Sequence, residues 1–461
     1  MERWQRMIQP GTKLASASTP SSHTLGLAFP NAQPPKAPDR LVVIRRGPAG
    51  VKGQGIGGAG YSTQLVPLPA AKALGPDAWR PTAARLRQAD PTVITAFPEL
   101  EHRALYELSS VDFAPAQWAL RNDFNPGFDT AWHLAADRLP AAHRVPVVAV
   151  VDQGLDLDDP RLRSIAWRNT DEIAGNGLDD DGNGFVDDVH GYHIARGSAD
   201  LSDDPSAPLN HGSVVSSIIA CRPVGRTDDM LGVAPDTQVM TIGVMRWVPE
   251  MQTATGSNED IFAGIQYAIE NGAKIVNLSL GAGGSDALPK ISQDTIASYN
   301  AHPVWDLAEQ HGVLIVVAAA NNDSDNDAFP ALPANLTTVR PNFITVMAID
   351  PSGQRARSYD ADTDAWEPFS NYGRNSVDIA APGTAVLGVS KPNVTCALDG
   401  TSFAAPTVAG AAALVWAQHP DWTYREVKQA ILESARRVDG LDDLCRTGGM
   451  LDIDAAMDWR P

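Results

Sequence analysis

Near-continuous apolar runs alternate with segments of helical period from residue 145 onward, and that alternation predicts most of the elements. "VPVVAVVD" (145–152) reads as a strand buried on both faces, because neither side of it is polar. "VMTIGV" (239–244), "KIVNLSL" (274–280), "VLIVVAAA" (313–320), "FITVMAI" and "VDIAA" read as further strands. Between them, "HGSVVSSIIA" (211–220) gathers Val214, Val215, Ile218 and Ile219 on one helical face. "SNEDIFAGIQYAIENG" (257–272) predicts a helix with Ser257 as N-cap, Asp260 three residues on and Gly272 as stop. "TYREVKQAILESA" (423–435) opens with the capping box Thr423…Glu426, and "AAPTVAGAAALVWAQ" is apolar enough for a buried helix. Strands alternating with helices imply an α/β fold, a parallel β-sheet with helices on both faces.

The first part of the chain has another texture. Residues 1–40 are rich in Ser, Pro, Ala and Thr with no sustained period, and read as a flexible lead. Residues 41–106 hold short strand-like pieces, "RLVVIRR" and "TVITAF", separated by the Gly-rich "GPAGVKGQGIGGAG". They read as a small α+β unit. No internal repeat is evident.

Composition narrows the function classes. The 461 residues suit one large domain plus something smaller, and 43% hydrophobic with 20% charged residues suits a globular protein. No apolar run is long enough for a transmembrane helix. A net charge of −19 argues against nucleic acid and anionic membrane as partners, since both attract basic surfaces. Three cysteines (Cys221, Cys396, Cys445) are too few for a disulfide framework. Cys396 and Cys445 pairing, or three unpaired thiols, both stay open. The N-terminal stretch lacks the apolar core of a secretory signal. A trimmed signal, a different true start and residence inside the cell are all compatible with that.

In such a sheet, sites form at the carboxyl ends of strands beside helix N-termini. Three polar residues fall there: Asp152 in "AVVDQGLD", His211 in "NHGSVVSS" and Ser402 in "DGTSFAAPTVAG". Singly they read as a turn residue, an incidental histidine and a helix cap. Together, in the order Asp…His…Ser, they match a nucleophile, its base and the group that orients the base. The blocks "VVAVVDQG", "NHGSVVSSIIA", "AAAANND" and "GTSFAAPTVAG" resemble the Asp, His, Asn and Ser blocks of the subtilisin-like serine peptidases, the subtilases. "LGVAPDTQVM", "IVNLSLG", "FSNYGRNSVDIAAPG" and the tail "GGMLDIDAAMDW" agree, and the resemblance covers roughly residues 107–461.

The resemblance implies a serine endopeptidase. Ser402 would attack the scissile carbonyl, His211 would take and return the proton, and Asp152 would orient His211. Asn321 and the Ser402 backbone N–H would hold the oxyanion. The chain departs from the family at Gln153, where Ser or Thr is usual, at Ser213, usually Thr, and at Ala320, usually Gly. Ala320 leaves the register between Asn321 and Asn322 open, with Asn321 aligning without a gap. A polypeptide substrate would bind as an added strand. Ser279, Leu280 and Gly281 would form one wall, and Ala318, Ala319 and Ala320 would line a roomy apolar primary pocket. Such a pocket suits a bulky apolar or aromatic residue just before the cleaved bond.

"GNGLDDDGNGFVDD" (175–188) carries a separate signal. Asp179, Asp181 and Asn183 at alternate positions before Gly184 form the first half of a calcium loop, to which Phe185 would add a carbonyl and Asp187 or Asp188 further oxygens. His190 replaces the closing Glu of an EF-hand, and the plain alternative is a solvated acidic turn. "NNDSDND" (321–327) is a weaker second candidate. Calcium would be structural. "VITAFPELEH" resembles the end of a subtilase propeptide, so residues 41–106 would be an intramolecular inhibitor removed by cleavage between about 100 and 115. The rival is a permanent N-terminal domain. Residues 107–461 would form the peptidase domain. Two other functions stay open: a dedicated processing protease for one partner inside the cell, and a catalytically silent binding protein on the same fold. The family resemblance favours secretion, and the N-terminus leaves the cell interior open.

Overall fold

The computed structural model describes residues 40–46, 61–67, 80–90, 93–98, 102–104, 107–108, 119, 145–202, 205–222, 230–360, 365–391 and 394–461. The expected flexible lead falls almost wholly outside the described residues.

Alternate residues of each central strand enter different cores, the consequence of a side-chain period of two on a strand apolar on both faces. Strand β6 (Val148–Asp152) sends Val148 and Val150 into one cluster with the helices His211–Ala220 and Thr401–Gln418. Ala149 and Val151 enter a second cluster with the helix Asn258–Glu270. The run "VAVVD" is apolar on both faces because both faces are covered. The sheet continues through β7 (Gly191–His193), β8 (Val239–Gly243), β11 (Ile275–Leu278), β13 (Leu314–Ala318), β15 (Phe343–Ile349), β18 (Ile379–Pro382), β21 (Arg436–Arg437) and β22 (Gly449–Met450). Its spatial order is β21-β22-β18-β15-β13-β11-β6-β8-β7, parallel throughout except for β21. From β6 the chain order runs outward through β11, β13, β15, β18 and β22 on one side, while β8 flanks β6 on the other with the earlier β7 at the edge, so the switch point lies between β6 and β11. The expected fold class is the one found.

The helices that matter to the site start beside the carboxyl ends of these strands. Helix α3 (His211–Ala220) is capped by Asn210, whose side chain accepts from the Ser213 N–H. The N-cap of α4 (Asn258–Glu270) is Ser257. Helix α7 (Thr401–Gln418) is buried along nearly its whole length and carries Pro406 inside it. The remaining helices are α1 (Arg80–Ala89), α2 (Pro160–Arg163), α5 (Gln293–Asn300), α6 (Pro303–Gln310), α8 (Tyr424–Glu433) and α9 (Ile453–Asp458). Helix α8 has the capping box of Thr423 and Glu426. Among the described residues, no helix is long and apolar enough to cross a membrane.

Ahead of β6, strands β1 (Arg40–Arg46), β2 (Tyr61–Pro67) and β3 (Val93–Pro98) form an antiparallel sheet in the order β2-β1-β3, and Ala83 of α1 packs against Val43 and Ala96. Strand β4 (His102–Ala104) then leaves this unit and becomes the middle strand of a different sheet. Its neighbours are β12 (Leu280–Gly283) on one side and β10 (Thr253–Gly256) on the other, with β14 (Ala331–Leu332) and β9 (Met245–Val248) outside them. Strand β5 (Glu107–Leu108) joins β20 (Thr395–Asp399), which also pairs with β19 (Val386–Val389). Strands β16 (Arg357–Asp360) and β17 (Ala365–Pro368) form a separate hairpin.

Candidate active site

Asp152 is the last residue of β6 and His211 the first of α3, and both are fully buried. His211 Nδ1 lies 2.8 and 2.9 Å from the two carboxylate oxygens of Asp152. Gly212 makes this approach possible. A Cβ there would sit 2.3 Å from the Gly154 carbonyl oxygen, so only glycine lets the helix start rest on the loop after Asp152. Ser213 completes the contact by accepting from the Asp156 N–H at 2.9 Å. The His211 ring also packs beside Phe403, the residue after Ser402, at 5.6 Å between centroids.

Ser402 is the second residue of α7 and is fully buried. Its hydroxyl donates to the Ser279 carbonyl at 3.0 Å, and the Ser279 hydroxyl donates back to the Ser402 carbonyl at 2.7 Å. Asn277 supports the pair by donating from Nδ2 to Ser279 Oγ at 2.9 Å. Pro406 explains why the Ser402 carbonyl is open to this bond. In a regular helix that oxygen accepts from the N–H four residues on, and proline has none. Pro406 is the sixth helical residue, and the side chain of Ser279, between β11 and β12, fills the gap.

Asn321 follows the end of β13. Its Oδ1 accepts from the backbone N–H of Thr401 at 3.0 Å and from the Thr401 hydroxyl at 2.8 Å. That fixes the amide, and its Nδ2 is a buried donor without a partner among the described residues. Asn322 is exposed and is held through its backbone N–H by Asn371. Ala320 adopts φ +94°, the left-handed region that favours glycine. Thr401 carried no weight in the sequence reading. The signal available for it was only its place beside Ser402.

The residues expected to line the groove divide. Leu280 pairs with Ala104 and Gly281 with Arg103, while Thr255 and Gly256 pair with Arg103 and His102 on the other side. Glu107 pairs with Asp399, three residues before Ser402. Ala318 packs in the core with Val316 and Val346, and Ala319 in another cluster with Met347 and Ile349.

In the acidic loop, Glu172 joins two of the six residues expected, Asp179 and Asp181. One carboxylate oxygen each from Glu172, Asp179 and Asp181 lie within 4.8 Å of one another. Glu172 is buried, its Oε1 accepts from the N–H groups of Asp180 and Asp181, and its Oε2 has no partner among the described residues. A buried carboxylate oxygen left bare beside two further carboxylates suits a hard cation bound through oxygen. Asn183 Oδ1 accepts from the Phe185 N–H, and Phe185 packs edge-on against Tyr192 and Tyr267. Asp187 accepts from the N–H groups of Asn176 and Gly177, and Asp188 accepts from Tyr267, Asn183 and Asn169. Burial raises the Asp188 pKa. Cys221, Cys396 and Cys445 are not joined in disulfides, and burial pushes Cys396 up to about 12.

A family model described as the subtilase family matches residues 144–448. Subtilisin-like protease 1 of Plasmodium berghei is 26% identical over 321 residues, which are 66% of this chain and 48% of that protein. The thermostable alkaline protease of Halalkalibacterium halodurans is 31% identical over 244 residues, 52% of this chain and 57% of that protein. Subtilisin NAT of Bacillus subtilis subsp. natto is 29% identical over 256 residues, 54% of this chain and 58% of that protein. The chain spans about half the length of these curated relatives.

Proposed function

Because this chain belongs to the subtilase family, we propose that it is a serine endopeptidase that cuts its own leader. The observation carrying this reading is the hydrogen-bonded pair of Asp152 and His211 at the sheet edge that also bears Ser402. His211 Nε2 would take the Ser402 proton as Oγ attacks the carbonyl, then return it to the leaving amine. Asp152, on Nδ1, would hold the tautomer and stabilise the imidazolium. The unpartnered Asn321 Nδ2 and the Ser402 N–H at the helix start would receive the oxyanion. A fluorophosphonate should label the wild type and not Ser402→Ala. An unlabelled but folded wild type would leave a silent scaffold instead.

Strand pairing supports a particular stretch. Arg103 and Ala104 run antiparallel to Gly281 and Leu280, the residues directly after Ser279. The Ser279 carbonyl is 3.0 Å from Ser402 Oγ. Beyond the gap, Glu107 pairs with Asp399. Cleavage would therefore fall between Ala104 and Glu107. Intact-mass analysis should find a wild-type chain beginning between residues 105 and 107 and an uncut Ser402→Ala chain. The same start in both would sink self-processing. Glu172, Asp179 and Asp181 would hold calcium, which supplies charge neutralisation and loop order rather than chemistry.

A further inference from the structure

The loop after β6 and the start of α3 are joined by more than the Asp152–His211 pair. Gln153 is fully buried. Its Oε1 accepts from the backbone N–H of His211 at 3.1 Å, and its own N–H donates to Asp152 Oδ1 at 2.7 Å. The first N–H groups of a helix have no partner inside the helix. In α3 the Asn210 side chain serves Ser213, and Gln153 serves His211. One residue thus contacts both members of the pair, the carboxylate through its backbone and the histidine through its side chain.

We propose that Gln153 is a positioning residue that holds the backbone of His211 in register with Asp152. The proposal rests on the endopeptidase reading given above. The side-chain length and the neutral charge of Gln153 both support it. A Ser or Thr at this position has one polar atom just beyond Cβ, whereas the glutamine amide reaches the helix start. A glutamate would reach as far but would put a second negative charge beside the imidazole. An opposite charge nearby favours the charged form of histidine, so its pKa would rise. Glutamine supplies the acceptor and leaves the charge of the base to Asp152 alone.

Two variants separate positioning from mere packing. Gln153→Leu keeps the bulk and removes the acceptor. It should lower kcat roughly 10- to 100-fold at nearly constant KM, the scale expected of a misplaced catalytic group. Gln153→Glu restores the acceptor. It should recover most of kcat at alkaline pH while moving the acid limb of the pH–kcat profile upward. Rates are taken per site titrated with fluorophosphonate, so loss of folded protein does not count. If both variants keep the wild-type kcat and acid limb while only Tm falls, Gln153 is a packing residue and the proposal fails. A second measurement does not need turnover. In Ser402→Ala protein, the low-field proton resonance of the His211 Nδ1–H on Asp152 should persist with Gln153 or Gln153→Glu and broaden with Gln153→Leu. An unchanged resonance in Gln153→Leu overturns the proposal, whereas an unlabelled wild type overturns the endopeptidase reading.

Discussion

Ala320 holds φ +94° with its N–H on Thr401 Oγ1 and its carbonyl on the Asn371 N–H. Left-handed backbone costs a non-glycine residue about 1–2 kcal/mol. Replacing it with glycine relieves that cost but loses about 0.8 kcal/mol of buried methyl and about 0.4–1 kcal/mol through the freer unfolded chain. Ala320→Gly should therefore leave stability nearly unchanged. Ala412→Gly, inside α7, should lose about 1 kcal/mol or more in denaturant titration. Equal losses in the two variants would mean that Ala320 is unstrained. Next along the chain, Asn321→Ala should lower kcat by about 10²–10³ with little change in KM. The sequence pointed to Asp152, His211 and Ser402 through their order and the edges they occupy. It favoured Asn321 over Asn322 on a gapless alignment alone, because the Thr401 hydroxyl that bonds Asn321 lies 80 residues away. Gln153 looked like a departure from the family, and its bond to His211 joins residues 58 apart, beyond the reach of any local pattern.

Helix α7 meets the link between β11 and β12 where Ser279 donates to the Ser402 carbonyl that Pro406 leaves open. Ser279→Ala would strip the Ser402 carbonyl of its donor and should cost about 1–3 kcal/mol, the penalty of an unpaired buried group. Adding Pro406→Ala returns an N–H to the helix and should recover part of that loss. A double-mutant cycle with strictly additive losses would contradict the exchange. Proline in the helix was visible in the sequence, whereas Ser279, 127 residues earlier between two strands, was not visible as its complement. The acidic loop repeats the pattern. The alternation of Asp179, Asp181 and Asn183 was readable, but Glu172 lies before the loop and becomes relevant only when the turn folds back on it. Glu172→Gln should shrink the rise in Tm that calcium gives over chelator, with little effect in chelator alone. An undiminished rise would remove Glu172 from the calcium site.

Across the whole molecule, the sheet was legible because its strands are apolar on both faces, while the pairing of β4 and β5 was not. Short strands that dock on another sheet carry no period of their own. Acid stability is another whole-molecule property. Burial lowers the pKa of both His193 and His302 from 6.5 to about 3, and Arg196 and Arg246 add to the effect at His193 while Asp200 opposes it. Between those values the folded state binds fewer protons than the unfolded. Stability should therefore fall as pH drops through 6.5, by about 1.4 kcal/mol per pH unit for each histidine, levelling near pH 3. His193→Asn should flatten that slope in denaturant titrations, and a parallel decline in both proteins would refute the assignment. The strand that fills the groove has a consequence for dose. While β4 belongs to an uncut chain, its effective concentration at the groove is of millimolar order and does not change on dilution. A cut just after β4 would turn it into a separate molecule that obeys mass action. Latency would then depend on how much protein is in the tube: a concentrated stock would stay silent, and the same stock diluted would switch itself on.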